Sequence, residues 1–488
     1  MTTHATAAHT TNHAMGVIHI LQADLELTGP AAVAAPEAHT VASSLRPDLP
    51  LARDGWGNPC LPATSLTGSL RHHAAPHRRR ALFGDVYKTP AAKQQDDDGD
   101  GGETIAIASP VRVLGTRLTL PDAPPAERRR TAVDRHRAAA LATSLHSREL
   151  LPPGTELTLW LRIDTTATSS PLVDEVIALL AAWRPRIGGG RTTGYGRAEL
   201  ITVRHRTIDL TTPDGLRHWL THGGPALVDD HATVVHDRAQ TAGGAPDEPH
   251  LFGRALHFRI ADALHIGSGT RTERPGRRSG PAQILRDHEN TPLVPGTTWK
   301  GLLRARVEFI LRSTGIGDVC ASVRDGAPGS CGTCMVCEAF GFSERPRTPA
   351  DSTPPPDTAG ARGHLLFADS PIRDATVRVR NHVALDRVFG GARDEALFAE
   401  ETAEDGHLTL HIRHDKPVPD LVRAALVLAL ADLADGTLGI GGATTRGYGT
   451  LTAEPATADW LTAQHTPAVN TLRTHTPPAG PAPQETRA

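Results

Sequence analysis

Four of the chain's five cysteines crowd into one stretch, "CASVRDGAPGSCGTCMVC", as Cys320, Cys331, Cys334 and Cys337. A C-x2-C-x2-C run with a fourth cysteine upstream, and Gly/Pro-rich "DGAPGS" between, suits a tetrahedral thiolate site whose chain folds back on itself. Zinc is the favoured occupant, with disulfides or an iron-sulfur cluster as alternatives. No open ligand position and no neighbouring His-Glu pair is visible, so the spacing predicts a structural clip that orders an apolar-poor loop. Cys60 stands apart and reads as a half-buried thiol.

A second kind of chemistry is written twice. "IGGGRTTGYGRAEL" (Ile187 to Leu200) and "IGGATTRGYGTL" (Ile440 to Leu451) share one glycine spacing. Each follows an apolar helix pattern and precedes a strand. Clustered glycines let backbone N–H groups approach an anion such as phosphate. The order helix, loop, strand is neither that of a Walker loop nor that of a dinucleotide fingerprint, so nucleotide hydrolysis is disfavoured. "PATSLTGSLR" and "PGTTWKGLLR" add a further pair, each placing small hydroxyl residues and a glycine at the start of a helix that carries Arg71 or Arg304. Free amides, hydroxyls and a cation converging at a helix N-terminus make a seat for a phosphodiester.

The elements that must position these residues also come in pairs. "GVIHILQADLEL" and "RALHFRIADALHIG" read as opening strands. "DLPLARDGWGNPCLPATSLTGSLR" aligns without a gap to "PAQILRDHENTPLVPGTTWKGLLR", matching Arg53 with Arg286, Asp54 with Asp287, Pro62 with Pro295 and Arg71 with Arg304. "TAVDRHRAAA" and "HVALDRVFGGA" share an Asp-Arg pair, which contributes Arg135 and Arg387. Landmarks recurring in one order identify an internal duplication.

Composition sets the frame. A chain of 488 residues has room for two modules, and 46 glycines with 39 prolines predict many irregular connections. A net charge of -3 announces no polyanion partner globally, which leaves the basic clusters "HRRR" (His77 to Arg80), "ERRR" (Glu127 to Arg130) and "RPGRR" (Arg274 to Arg278) as local possibilities beside a solvated-surface reading. No long apolar run and no signal peptide is visible, so a cytoplasmic protein without membrane contact is expected. "QQDDDGDGGE" (Gln94 to Glu103) lacks the final bidentate Glu of a calcium loop and reads as solvated. Residues 1–15 are expected to be disordered, 16–245 to form the first module, 246–465 the second with the cysteine insertion near 320–337, and 466–488 a disordered tail. "DDHATVVHDRAQTAGGAPDEPH" is the expected linker.

Taken together, these motifs resemble the RAMP superfamily and, more narrowly, the backbone subunits of type III CRISPR-Cas effector complexes; a fused pair is similar to the type III-D arrangement. The resemblance implies an α+β fold of two tandem modified ferredoxin-like, RRM-related modules with insertions. It also implies partners: a CRISPR guide RNA, a target RNA, other backbone subunits and a large signalling subunit. RNA contacts would fall on Arg53, Ser65, Arg71, Arg135, Gly188, Gly189, Gly190, Gly194 and Gly196 in the first half. In the second they would fall on Arg286, Thr298, Lys300, Arg304, Arg387, Gly441, Gly442, Gly447 and Gly449. Such subunits often cut target RNA with an aspartate that here matches Asp48, where the second half has Pro281. The resemblance therefore implies a divalent-metal-dependent endoribonuclease, with Mg2+ or a similar ion, active in the first module only. A guide-RNA scaffold that does not cut, and a guide-processing endonuclease, are the competing readings.

Overall fold

The computed structural model describes residues 16–35, 47–88, 104–135, 139–141, 144–240, 248–272, 280–316, 319–320, 323–324, 327–328, 330–342 and 360–475. The segments 1–15, 94–103, 274–278 and 476–488, on which several of the expectations above fall, lie outside them. Among the described residues no helix is long and apolar enough to cross a membrane.

The first half is built on a five-stranded antiparallel sheet. Its strands are β1 (Val17–Leu27), β2 (Val111–Thr119), β5 (Glu156–Thr165), β6 (Ala198–Asp209) and β7 (Thr233–Asp237), in the order β7-β6-β1-β5-β2. Between β2 and β5 an arm rises as β3 (Ala126–Arg130) paired with β4 (His146–Leu150). β1 is central and buried on both faces. Its Leu21, Ala23, Leu25 and Leu27 face α1 (Ala63–His73) and α2 (Pro171–Ala181), while Ile18 and Ile20 meet Trp160, Ile208 and Leu227 on the other side. Double burial explains why the alternation in "GVIHILQADLEL" is blurred at its start. β7 corrects one expectation, because Thr233 to Asp237 of the presumed linker pair with β6 as an edge strand.

The second half repeats the plan. β8 (Leu256–Ile260) lies between β13 (His407–Leu410) and β14 (Leu451–Ala453). A second sheet joins β9 (Gly267–Arg271), β10 (Ala282–Ile284), β12 (Ala392–Glu404) and β11 (Thr376–Leu385), the last two forming a long arm. Three helices pack into the core: α3 (Gly296–Ser313), α5 (Asp420–Ala434) and α6 (Pro455–Arg473), with the short α4 (Met335–Phe340) beside them. β8 keeps a clean period of two, with Leu256, Phe258 and Ile260 buried and His257 and Arg259 exposed.

α6 overturns the expectation of a disordered tail beginning at Thr466, since the helix runs on to Arg473. Leu461, Ala468 and Leu472 recur on one face and are buried in the core. Pro467 gives up one helical hydrogen bond and reads as a breaker in sequence, but this apolar stripe holds the helix through it.

Candidate functional site

The four cysteine thiols converge as their spacing predicts. Their sulfurs all lie within 4.8 Å of one another. Backbone N–H groups of Cys331, Cys334 and Cys337 donate to the sulfurs of Cys320, Cys331 and Cys334 at 3.1, 3.3 and 3.4 Å. Amides that donate to sulfur favour the thiolate, the form in which cysteine binds metal. Cys320, Cys334 and Cys337 are buried against the second core and Cys331 is exposed. This cluster can hold a metal such as zinc.

Both glycine loops have the same backbone. Ile187 and Ile440 donate to the carbonyls of Gly196 and Gly449 at 2.8 and 3.0 Å, and a 3-10 turn sits inside each loop. A Cβ on Gly196 would stand 1.8 Å from the Ile187 carbonyl, and one on Gly449 1.9 Å from that of Ile440. These two glycines are therefore needed to close the loop, whatever it binds. Tyr195 and Tyr448 are buried beneath the arms. Arg128 donates to the Tyr195 hydroxyl at 3.3 Å, and Tyr448 shares a 2.9 Å hydrogen bond with His382.

Their surroundings differ. The first loop is pressed onto the start of α3 in the other module: Lys300 Nζ donates to Thr192 Oγ1 at 2.8 Å, and Gly194 packs on Phe367 to Asp369. Burial pushes the Lys300 ammonium down to about 8. The amide of Gly296 donates to Asp369 Oδ1 at 2.9 Å, so an acidic side chain already takes the first amide of this helix. Asp369 also accepts from Arg128 at 2.6 Å, and Arg129 donates to the Gly269 carbonyl at 2.8 Å. "ERRR" thus ties the two modules together through Arg128 and Arg129, with Arg128 buried and Glu127 and Arg129 exposed. The second loop, from Thr444 to Gly447, is exposed. So is Arg387, at an arm tip where Val388 and Phe389 are 83% and 88% exposed.

The arginines expected at RNA are dispersed. Arg53 pairs with Glu149 at 2.5 Å, Arg286 with Glu401 at 2.8 Å, and Arg71 donates to the carbonyl of Gly84 at 3.0 Å. Ser65 and Thr298 are half-buried in the first turns of α1 and α3, and the start of α1 has no side-chain cap. Arg304 and Arg135 are placed differently from what their motifs suggest. Both pair with Glu308, a fully buried carboxylate of α3, at 2.9 and 2.8 Å. A guanidinium neutralised inside the protein has little charge left for a phosphate.

Asp48 is exposed and held by the arm, accepting from the amide and the hydroxyl of Ser147 at 2.6 and 3.0 Å. The Ser147 amide, more than its hydroxyl, keeps this carboxyl below its ordinary range and hence ionised at neutral pH. Among the described residues, the cysteines form the only group of three or more His, Cys, Asp or Glu side chains close enough to hold a metal. Asp48 belongs to no such group among the described residues.

A RAMP superfamily model matches residues 9–199 and again 258–452. The chain belongs to the RAMP superfamily. Each match takes in one half's opening strand and glycine loop and ends in the strand that follows the loop, so this is a tandem RAMP protein of mixed α+β fold. Membership points to a CRISPR-associated RNA-binding subunit, with RNA and the proteins of such a complex as partners. No curated protein matches it. Within the RAMP frame, sequence reasoning missed Val388 and Phe389. Their signal was two bulky apolar residues between an Asp-Arg pair and two glycines, where a turn should carry polar residues.

Proposed function

We propose that this RAMP protein is a backbone subunit of a type III effector complex, in the fused arrangement of type III-D. It holds guide RNA through both modules and cleaves complementary target RNA with the first. The observation that carries the cleavage reading is an asymmetry at one aligned position: Asp48 is exposed, ionised and oriented by Ser147, while the second module has Pro281. The target's own 2′-OH would give up its proton to water and attack the adjacent phosphate, forming a 2′,3′-cyclic phosphate while the bond to the next nucleotide's 5′-oxygen breaks and that oxygen takes a proton from water. A divalent ion such as Mg2+, when bound by Asp48 and RNA phosphates, would stabilise the charge that develops there.

RNA contact is assigned to the exposed second loop with Gly441, Gly442 and Gly447, which the buried Gly449 closes, and to Arg387 with the apolar tip beside it, where Phe389 can stack on a base. Arg53, Ser65, Arg71 and Arg286 remain candidates at the module edges. Gly188, Gly189, Gly190, Gly194, Gly196, Thr298 and Lys300 would contribute chiefly by building the joint, and zinc in the thiolate site by ordering the second module. A large signalling subunit and a cytoplasmic setting complete the reading.

The test is Asp48→Ala in the reconstituted complex. Cleavage should fall about 100-fold or more, as expected when several kcal/mol of charge stabilisation is removed, with guide binding unchanged. Unaltered cutting would remove Asp48 from the mechanism. A wild type that binds but never cuts would leave a scaffold, a reading in keeping with the lack of any group of three or more potential metal ligands at Asp48 among the described residues.

A further inference from the structure

The buried carboxylate Glu308 joins three features that the sequence presents as unrelated. It is fully buried on α3. One oxygen accepts from Arg304 Nε at 2.9 Å, and the other pairs with Arg135 Nε at 2.8 Å, an arginine carried by the arm of the first module. The rest of the Arg304 guanidinium turns the opposite way. Its Nη1 donates to the Gly341 carbonyl at 2.7 Å, and its Nη2 donates to Ser330 Oγ at 3.3 Å and to Cys337 Sγ at 3.5 Å. An unbroken line of contacts thus runs from the arm of one module to a metal-site sulfur of the other.

Charge decides what this line does. Arg304 is 9% exposed, and a positive charge in a place with so little water depends on close negative partners. Four neutral thiols offer nothing to offset it. Four thiolates around a divalent ion carry a net charge of two minus, and Arg304 already donates to one of them. A loaded site therefore stabilises Arg304 in its present position. Arg304 holds Glu308 in place, and Glu308 is the partner that keeps Arg135 inside the joint.

We propose that metal loading of the thiolate site and docking of the first module's arm are coupled through Arg135, Glu308 and Arg304, so that each strengthens the other. The metal site then acts as a remote clasp on the joint as well as a local staple. The coupling rests on the reading of the cysteine cluster as a metal site. Linkage makes it reciprocal: whatever the metal does for the arm, the arm does for the metal by the same factor. Arg129 supplies the control, because it also crosses the joint, to the Gly269 carbonyl, yet is exposed and has no contact with the cysteines in this line.

The experiment uses the full chain and Zn2+ itself. Zn2+ affinity is measured by competition with a chromophoric chelator in wild type, Arg135→Ala, Glu308→Gln and Arg129→Ala. Hydrogen exchange of residues 126–150 is measured in wild type before and after chelation. The coupling predicts about 5- to 100-fold weaker Zn2+ binding for the first two variants, the usual span for linked sites. It predicts no change for Arg129→Ala, and faster exchange of the arm once the metal is stripped. Arg135→Ala binding Zn2+ as tightly as Arg129→Ala would overturn it. So would an arm whose exchange ignores chelation, a result that needs no variant to fold. A wild type that takes up no Zn2+ would overturn the metal reading and the coupling with it.

Discussion

The two glycine loops share a sequence and a backbone and differ in what covers them. From Arg191 to Gly196 no residue of the first is exposed, whereas Thr444 to Gly447 of the second all are. The helix starts behave in the opposite sense: that of α3 is covered by the first loop and by Asp369, and that of α1 is not capped by a side chain. Fusing two modules uses up one loop and one helix start in the joint and leaves one of each open. Residues that look equivalent in the repeat therefore cannot be assigned one role. A motif establishes the local conformation, and its neighbours decide whether it meets protein or ligand.

The largest test of this difference lies in the arms. Counting back from the matched Asp134 and Asp386, Arg128 corresponds to Arg380. Arg128 is 8% exposed and pairs across the joint with Asp369. Arg380 bonds to Asp262 and Glu404 within its own module and is about one-third exposed, with 31% of its side chain accessible. Arg128→Ala should cost about 3–5 kcal/mol in denaturant unfolding, the range for breaking a buried pair. Arg380→Ala should cost about 1 kcal/mol or less. Equal losses would mean that the joint contributes no more than an ordinary surface pair.

A smaller effect separates the loops themselves. Gly194 and Gly447 occupy the same position with φ of 87° and 90°, so alanine pays the same left-handed penalty of roughly 1–2 kcal/mol at either. A Cβ on Gly194 would also stand 3.0 Å from the Ala368 Cα and 3.1 Å from the Phe367 carbonyl, while one on Gly447 meets nothing within 4 Å. Thermal unfolding should therefore show Gly194→Ala less stable than Gly447→Ala by about 1–3 kcal/mol, the usual cost of overpacking. RNA affinity should respond in the reverse order, because only the second loop is open.

How much of this was legible in sequence follows from the range of each interaction. The duplication, the glycine loops and the thiolate cluster were readable because they answer to local demands: Gly196 and Gly449 must clear a carbonyl nine residues back, and the cysteines need fixed spacing. Arg135 and Arg387 show where such reading ends. They stand in the same Asp-Arg motif, yet one is buried against Glu308 and the other is exposed at a turn. The shared motif does not foretell this, since the partner that buries Arg135 sits on a helix of the other module. Glu308 escaped notice for the same reason, its counterpart in the gapless alignment being Ala75. Asp48 was nominated through the resemblance and set against Pro281 by the alignment, and its orientation by Ser147, 99 residues away, could not be read from either.

Lys300 gives the finest test, because it measures the joint by a proton. Its counterpart in α1 is Thr67, so only the covered helix start carries a titratable group at this place. Burial lowers the ammonium of Lys300 from 10.5 to about 8 in the folded chain. Between those two values the unfolded chain holds the proton and the folded chain has released it, so stability must rise with pH across that window. Below about pH 8 both states are protonated and the contribution is flat. Other groups titrate in the same range, and Lys300→Met removes this one alone. The stability of wild type relative to Lys300→Met should increase by on the order of 1 kcal/mol from pH 7.5 to pH 9.5, measured by urea unfolding. A difference that stays constant with pH would mean that water reaches the lysine and that the first loop does not seal the start of α3. Prising that loop away with Gly194→Ala should abolish the same pH dependence, whereas Gly447→Ala should leave it intact.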